Sequence, residues 1–373
     1  MTNPRLIAIA IAEAALIIIG VYGYVAVYAP GQSISLTGTQ PITLQGAGAT
    51  LAYPLLSAIK TRYHQNNPGI QVNFSPVGSI AGLSLLIDKT VDFAATYPPI
   101  PKGQWKNFPS LPLHIPESIS AVVVSYNVPE LTQPLKLNGT VLAEIFRGNI
   151  TSWNDPQVQN LNPGQNLPNH YVLPYHMAEA EGTTFVFTSY LNLFPNWPFK
   201  PSTSWPSSSQ VAVGSEVSTD ALVANQIETT QYTIGYMELS YAIDARLTYA
   251  SIQNSAGNYI VPSETSAAAS LRRLTHDLPR SDQDWSSVNL LNEPDGDAYP
   301  LVTFTYLIVY QDLSVVADMD LTKAKALAAF VWYLIHDGQA LGLPLGYVPL
   351  PPSVVTVDEA GTNLISFRGQ HRL

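Results

Sequence analysis

The chain of 373 residues contains no cysteine, only seven histidines and few charges. The absence of cysteine excludes a disulfide framework, a thiolate metal site, a thiol nucleophile and a lipid anchor on an N-terminal cysteine. Charged residues make up 12% of the chain, and its net charge of −10 disfavours nucleic acid as a partner. Because no H-E-x-x-H, G-x-S-x-G or Walker A pattern occurs, we expect no enzyme, no catalytic residues, no metal site and no cofactor.

One long apolar run is present, at residues 6–29, and its one charged residue is Glu13. At about 1.5 Å per residue, a helix of this length crosses a hydrocarbon core of about 30 Å. Arg5 precedes the run and the next basic residue is Lys60, so the positive-inside rule places the rest of the chain outside the cytoplasm. A cleaved signal peptide is the alternative, although a cut after Ala29 would leave Pro30 at the new N-terminus.

We therefore predict residues 1–29 to be a transmembrane anchor or signal segment and residues 30–40 to be a linker. The predicted location is the cell membrane, with a single pass and the folded part outside. From residue 41 onward, short β-forming runs alternate with helical segments, which is typical of parallel βαβ units. We expect a tight loop at residues 46–50, because it holds two glycines and is followed by a helix start at Pro54.

Seven segments in the chain carry a more specific pattern. They are GAGATLAYP (46–54), NNPGIQVNFSPVGSIAGL (66–83), TVDFAATYPPI (90–100), LNGTVLAEIFRGNITSWNDPQVQNLNPG (137–164), HMAEAEGTTFVFTSYL (176–191), IGYMELSYA (234–242) and LGYVPLPPSVV (345–355). In content and order they resemble the phosphate-binding proteins, the substrate-binding subunits of phosphate ABC transporters.

The resemblance implies an α/β fold of the two-lobed, type II periplasmic-binding-protein class. The first lobe would combine residues 41–120 with 306–373, and the second would cover 121–305. Residues 120–126 and 301–310 are β-forming runs that we expect to cross between the lobes. The implied function is an extracellular receptor for phosphate or a related oxyanion, working with the permease of an ABC-type importer. A divergent binding protein for another solute and a non-transport surface scaffold remain as alternatives.

The resemblance also implies where the ligand would bind. The first loop contributes Thr50 and Leu51, where the family usually has an aromatic residue in place of the leucine. The second contributes Ser79 at a helix start, and the third contributes Tyr97 in place of the family's aspartate. A fourth group, residues 177–183, reads MAEAEGT where the family pattern is Arg-x-Asp-Gly-Ser-Gly-Thr, and its expected ligand-binding members are Glu179, Glu181, Gly182 and Thr183.

Two departures in that last loop bear on affinity. Met177 stands in place of the arginine that grips the oxyanion with two donors, and Glu181 stands in place of the serine. Glu181 could point into the oxyanion site, or it could be a helix-start carboxylate favoured by the helix dipole. His176 could act as a cationic donor at low pH or face the solvent as a strand-end residue. The first interpretation of Glu181 predicts that phosphate binds at low pH and poorly at pH 7.

Overall fold

A computed structural model describes residues 41–178, 180–206, 215–274, 278–371 and 373. In these residues the strands are β1 (Ile42–Gly48), β2 (Ile70–Pro76), β3 (Phe93–Thr96), β4 (Pro112–Asn127), β5 (Lys136–Leu137), β6 (Leu173–Met177), β7 (Ser215–Val217), β8 (Thr233–Glu238), β9 (Ser251–Gln253), β10 (Tyr259–Ile260), β11 (Val302–Tyr310), β12 (Ser366–Phe367) and β13 (Gln370–His371). The α-helices are α1 (Tyr53–Asn66), α2 (Ser79–Ile87), α3 (Gly139–Phe146), α4 (Pro156–Leu161), α5 (Gly182–Leu191), α6 (Asp220–Thr229), α7 (Leu239–Asp244), α8 (Glu264–Ala269), α9 (Leu321–Ile335) and α10 (Pro352–Thr362).

The main sheet has eight strands in the order β2-β1-β3-β11-β4-β8-β6-β7. Strand β4 holds it together, because residues 112–121 pair with β11 and residues 122–127 pair with β8. The first lobe is built on β1, β2, β3, β11 and the start of β4, and the second on β6, β7, β8 and the end of β4. This arrangement confirms the two-lobed α/β fold.

Strand β4 is the crossover predicted at residues 120–126, and it begins earlier, at Pro112. It lies antiparallel to β11, which covers nearly all of the run predicted at residues 301–310. Both strands are almost entirely buried because helices cover the two faces of the sheet. The two chain passages between the lobes therefore lie side by side, although the lobe boundaries at residues 120 and 306 stay predictions.

The glycine-rich segment at residues 46–50 differs from the expected loop, because β1 continues as a strand through Gly48. A methyl group on Gly46 would lie 2.2 Å from the ring of Phe93, and one on Gly48 would lie 2.0 Å from the carbonyl oxygen of Ala95. Both neighbours belong to β3. The glycines therefore allow the close approach of β3, and the chain turns only after them, in a 3-10 helix at Thr50–Ala52.

A buried ion pair links helix α9 to the residue directly before strand β3. One carboxylate oxygen of Asp92 lies 2.7 Å from the ammonium of Lys323, and the other accepts a hydrogen bond of 2.7 Å from the backbone N–H of Gln45. Asp92 is 1% exposed, so these two partners replace the water that its carboxylate has lost.

None of the helices within the described ranges is long and apolar enough to cross a membrane. The predicted anchor at residues 1–29 and the linker at residues 30–40 lie outside the described residues.

Candidate functional site

The N-termini of two helices from different lobes face each other. Helix α2 of the first lobe begins at Ser79, directly after Gly78, and helix α5 of the second lobe begins at Gly182. A methyl group on Gly182 would lie 3.2 Å from the carbonyl oxygen of Tyr97 and 3.7 Å from the hydroxyl of Ser79. Because the first N–H groups of a helix have no partner within the helix and carry partial positive charge, this junction favours an anion.

The side chain of Glu181 spans this junction. One of its carboxylate oxygens accepts a hydrogen bond of 2.7 Å from the Thr50 hydroxyl, which belongs to the first lobe. Glu181 precedes α5 but makes no side-chain cap on that helix. Its carboxylate therefore contacts the first lobe at Thr50, one of the donors assigned to an oxyanion by resemblance.

Two buried carboxyl groups that were not predicted complete the site. Asp220, at the start of α6, has one oxygen 3.4 Å from the Thr50 hydroxyl and 3.3 Å from the Thr183 hydroxyl. Its other oxygen accepts a hydrogen bond of 2.8 Å from the backbone N–H of Glu238. Glu238 in turn caps α7, accepting from the backbone N–H of Ser240 at 2.8 Å. We call Glu181, Asp220 and Glu238 the carboxyl cluster.

Burial perturbs the acidity of this cluster. Loss of contact with water raises the pKa of Asp220 to about 6, although its hydrogen bonds to Glu238, Thr183 and Thr50 act in the opposite direction. Burial likewise raises the pKa of Glu238 to about 8, and the neighbouring Asp220 charge adds to that rise. Near neutral pH, Glu238 therefore stays mainly protonated, whereas Asp220 ionises as the pH rises through about 6.

Two more residues of the predicted site, Leu51 and Tyr97, are held mainly by other contacts. Leu51 is fully buried, and its carbonyl oxygen accepts a hydrogen bond of 2.7 Å from the Tyr347 hydroxyl. The backbone N–H of Tyr97 donates to the Ser79 hydroxyl at 3.1 Å, and its ring packs edge-on against Phe185. Tyr97 thus contacts the junction through its backbone, whereas the Leu51 carbonyl is bound by Tyr347.

The structure therefore brings together Thr50, Ser79, Glu181, Gly182 and Thr183. Glu179 lies outside the described residues.

No arginine is found at the position where the family's guanidinium is expected. Met177 is fully buried at the end of β6. Arg147 donates to the carbonyl oxygen of Asn196 at 2.7 Å, and Arg246 is exposed. His176 is 6% exposed and stacks on Trp205 with 4.7 Å between ring centroids, so it does not face the solvent.

Residues 35–337 match the family described as a PBP superfamily domain. The phosphate-binding protein PstS of Methanocaldococcus jannaschii is 31% identical over 338 residues, which is 87% of this chain and 86% of that protein. The chain belongs to the family of phosphate-binding proteins. PstS of Pasteurella multocida is 33% identical over 85% of this chain and 89% of its own length.

The solved structures agree on the fold. A crystal structure of a phosphate-binding protein from Stenotrophomonas maltophilia superimposes with a TM-score of 0.66 at 15% identity, covering 86% of this chain and 94% of that protein. At this level of identity the match supports the two-lobed fold alone. The carboxyl cluster and the buried Met177 are features of the present chain.

Proposed function

We propose that this protein is the substrate-binding receptor of an ABC-type importer, and that its ligand is phosphate or a related oxyanion. The observation that carries the proposal is the meeting of two helix N-termini from opposite lobes, at Ser79 and Gly182. The hydroxyls of Thr50 and Thr183 both lie near one Asp220 oxygen, and the Ser79 hydroxyl lies beside Gly182. Helix N-termini together with hydroxyl donors suit an anion that is enclosed when the lobes close.

The names of the relatives support this choice of ligand, since proteins of similar length and about 30% identity are called phosphate-binding proteins. For the present chain we propose the same role, with both lobes outside the cytoplasm and an ABC permease as partner. We propose no enzymatic activity. The anchor at residues 1–29 is part of the proposal and is tested separately below.

Within the site we assign donor roles to Thr50, Ser79 and the start of α5 at Gly182 and Thr183. Leu51 and Tyr97 contribute backbone groups, and Glu181 competes with the ligand for the same donors. Glu179 is proposed as a ligand-binding residue on resemblance alone.

A second candidate, a receptor for a different solute, is favoured by one observation. Met177 is buried in place of the arginine, and Glu181 adds a carboxylate to the cleft. Both changes disfavour a multiply charged anion at neutral pH. A protonated or singly charged oxyanion is compatible with both changes. If phosphate does not bind, the second candidate predicts that a neutral solute does.

Retention of radiolabelled phosphate by the purified full chain tests the proposal. We expect binding that is tighter at pH 4 than at pH 7, competed by unlabelled phosphate and lost in Thr50→Val. Thr61→Val, which removes an exposed hydroxyl on α1, is the matched control. Absence of phosphate binding at both pH values in the folded protein would contradict the proposed ligand.

The proposed anchor is tested by N-terminal sequencing of protein purified from its native membranes. An uncleaved chain that resists alkaline extraction of the membranes agrees with the anchor. A mature chain beginning near residue 30 would contradict it and would leave the receptor assignment unchanged.

A further inference from the structure

The carboxyl cluster places acidic groups from different elements around a single hydroxyl. The Thr50 hydroxyl lies 2.7 Å from a Glu181 oxygen and 3.4 Å from an Asp220 oxygen, and it has only one hydrogen to donate. These two carboxyl oxygens are therefore within about 6 Å of each other, a distance at which like charges disfavour simultaneous ionisation. Asp220 is in turn linked to Glu238 through the backbone N–H of Glu238.

All three groups are enclosed, with exposures of 3% for Glu181, 0% for Asp220 and 0% for Glu238. No ion pair found in the described ranges includes Asp220 or Glu238. Ionised carboxylates without a cationic partner are strongly disfavoured in such surroundings. A proton on the cluster is the simplest way to relieve the repulsion.

The enclosure depends on contacts between the lobes. Thr50 of the first lobe covers Glu181 and Asp220, and the Tyr241 hydroxyl of the second lobe lies 3.4 Å from the Thr50 carbonyl oxygen. Tyr347 of the first lobe lies beside Glu238, whose charge adds to the rise that burial causes in the pKa of Tyr347. Separating the lobes would bring water to the cluster.

In the part of the chain that the structure describes, the other titratable groups beside the cluster are tyrosines and one further acid. They are Tyr236, Tyr241 and Tyr347, with Tyr53 and Glu117 behind them.

We propose that the closed cleft is a proton-binding site, in which protons on Asp220 and Glu238 hold the lobes together without any other ligand, and that the lobes separate as these protons leave. The inference rests on the proposed function, because it describes how the same cleft is regulated, but it does not require phosphate to bind.

The direction of the pH effect follows from the perturbed acidities. Burial raises the pKa of Asp220 from 3.8 to about 6 and that of Glu238 from 4.5 to about 8 in the closed form. Closure is therefore favoured below about pH 4, where both groups are protonated in either form, and this advantage is lost as the pH rises through 6 and 8. The raised pKa of Asp220 alone means that the ratio of closed to open molecules falls on the order of a hundredfold as the pH rises over this range.

The absence of cysteine allows a direct measurement on the full chain. Cysteines introduced at Ser84 on α2 and Asn225 on α6, both exposed, would carry spin labels on opposite lobes. In phosphate-free buffer we expect the distance between labels to be short at pH 5 and longer at pH 9. A distance that stays constant across this range in the folded protein would overturn the proposal.

Neutral variants separate the cluster from general effects of pH. With Asp220→Asn and Glu238→Gln combined, the distance should remain short at both pH values. Asp358→Asn, which removes a buried carboxyl of α10 in the first lobe, should leave the pH response unchanged. A response that persists in the double variant, or that disappears in Asp358→Asn, would also overturn the proposal. Failure of phosphate binding alone would affect only the proposed function.

Discussion

Replacing Glu181 by serine tests whether the Glu181 carboxylate weakens the binding of an anion in this cleft. The substitution removes a carboxylate that is 3% exposed and hydrogen-bonded at 2.7 Å to Thr50. It also restores the residue that the family pattern has at this position. The Thr50 hydroxyl and the N-terminus of α5 then become available to a ligand.

The expected magnitude follows from Coulomb's law. Two unit charges about 5 Å apart repel by about 3 kcal/mol at an effective dielectric constant of about 20. Since about 1.4 kcal/mol corresponds to a factor of ten in affinity, Glu181→Ser should tighten phosphate binding at pH 7 by about a hundredfold. The gain should shrink as the pH falls and Glu181 becomes protonated. Adding Met177→Arg should increase the affinity at pH 7 further, because a guanidinium is restored.

Isothermal titration of phosphate into each variant at pH 4 and pH 7 measures the effect. Glu264→Ser is the matched control, because Glu264 also lies at a helix start but is exposed. It should leave the affinity unchanged. If Glu181→Ser binds phosphate no better than the unmodified protein at pH 7, the carboxylate does not occupy the ligand position and the reasoning is refuted.

Two further predictions concern the scaffold, and a third concerns the closed form of the cleft. Lys323→Ala leaves the buried Asp92 without its cation and should lower the free energy of unfolding by about 3 kcal/mol in a urea titration. The control Lys325→Ala, at an exposed lysine, should change this free energy little. Equal effects of the two substitutions would contradict a stabilising role for the ion pair. Gly82→Ala places a methyl group 2.3 Å from the backbone of β1 and should destabilise the first lobe by about 2 kcal/mol or more. Gly103→Ala is the control, because its methyl group meets no neighbour within 4 Å. A similar loss of stability in Gly103→Ala would count against the packing argument. Phosphate at low pH should not expand the protein in X-ray scattering, because both liganded and protonated forms are closed, and an increase in the radius of gyration would contradict this.

The sheet and the crossovers were predictable because long β-branched runs and regular alternation are local signals. The strand at residues 301–310 has such a run and is observed as β11. The glycines at 46 and 48 misled the prediction, since a glycine in a turn and a glycine beneath a neighbouring strand look the same in a single sequence. Only the close approach of β3 distinguishes them.

The candidate site was predictable only in part, for a similar reason. Thr50, Ser79 and the loop at residues 181–183 could be placed by family resemblance. Asp220 follows Thr219, a helix-capping residue, so it has the sequence signature of an ordinary helix start. Its full burial and its contacts with Thr50 and Thr183 depend on the meeting of two lobes, which no local pattern records.

A crystal structure of the full chain grown with arsenate at low pH tests the central claim most directly. Arsenate resembles phosphate in shape and charge, and its arsenic atom can be located by anomalous scattering. The account predicts one strong peak between Thr50, Ser79 and the start of α5 at Gly182, with the Glu181 carboxyl displaced from Thr50. A closed cleft that still holds Glu181 on Thr50 and shows no arsenic between the two helix N-termini would contradict it.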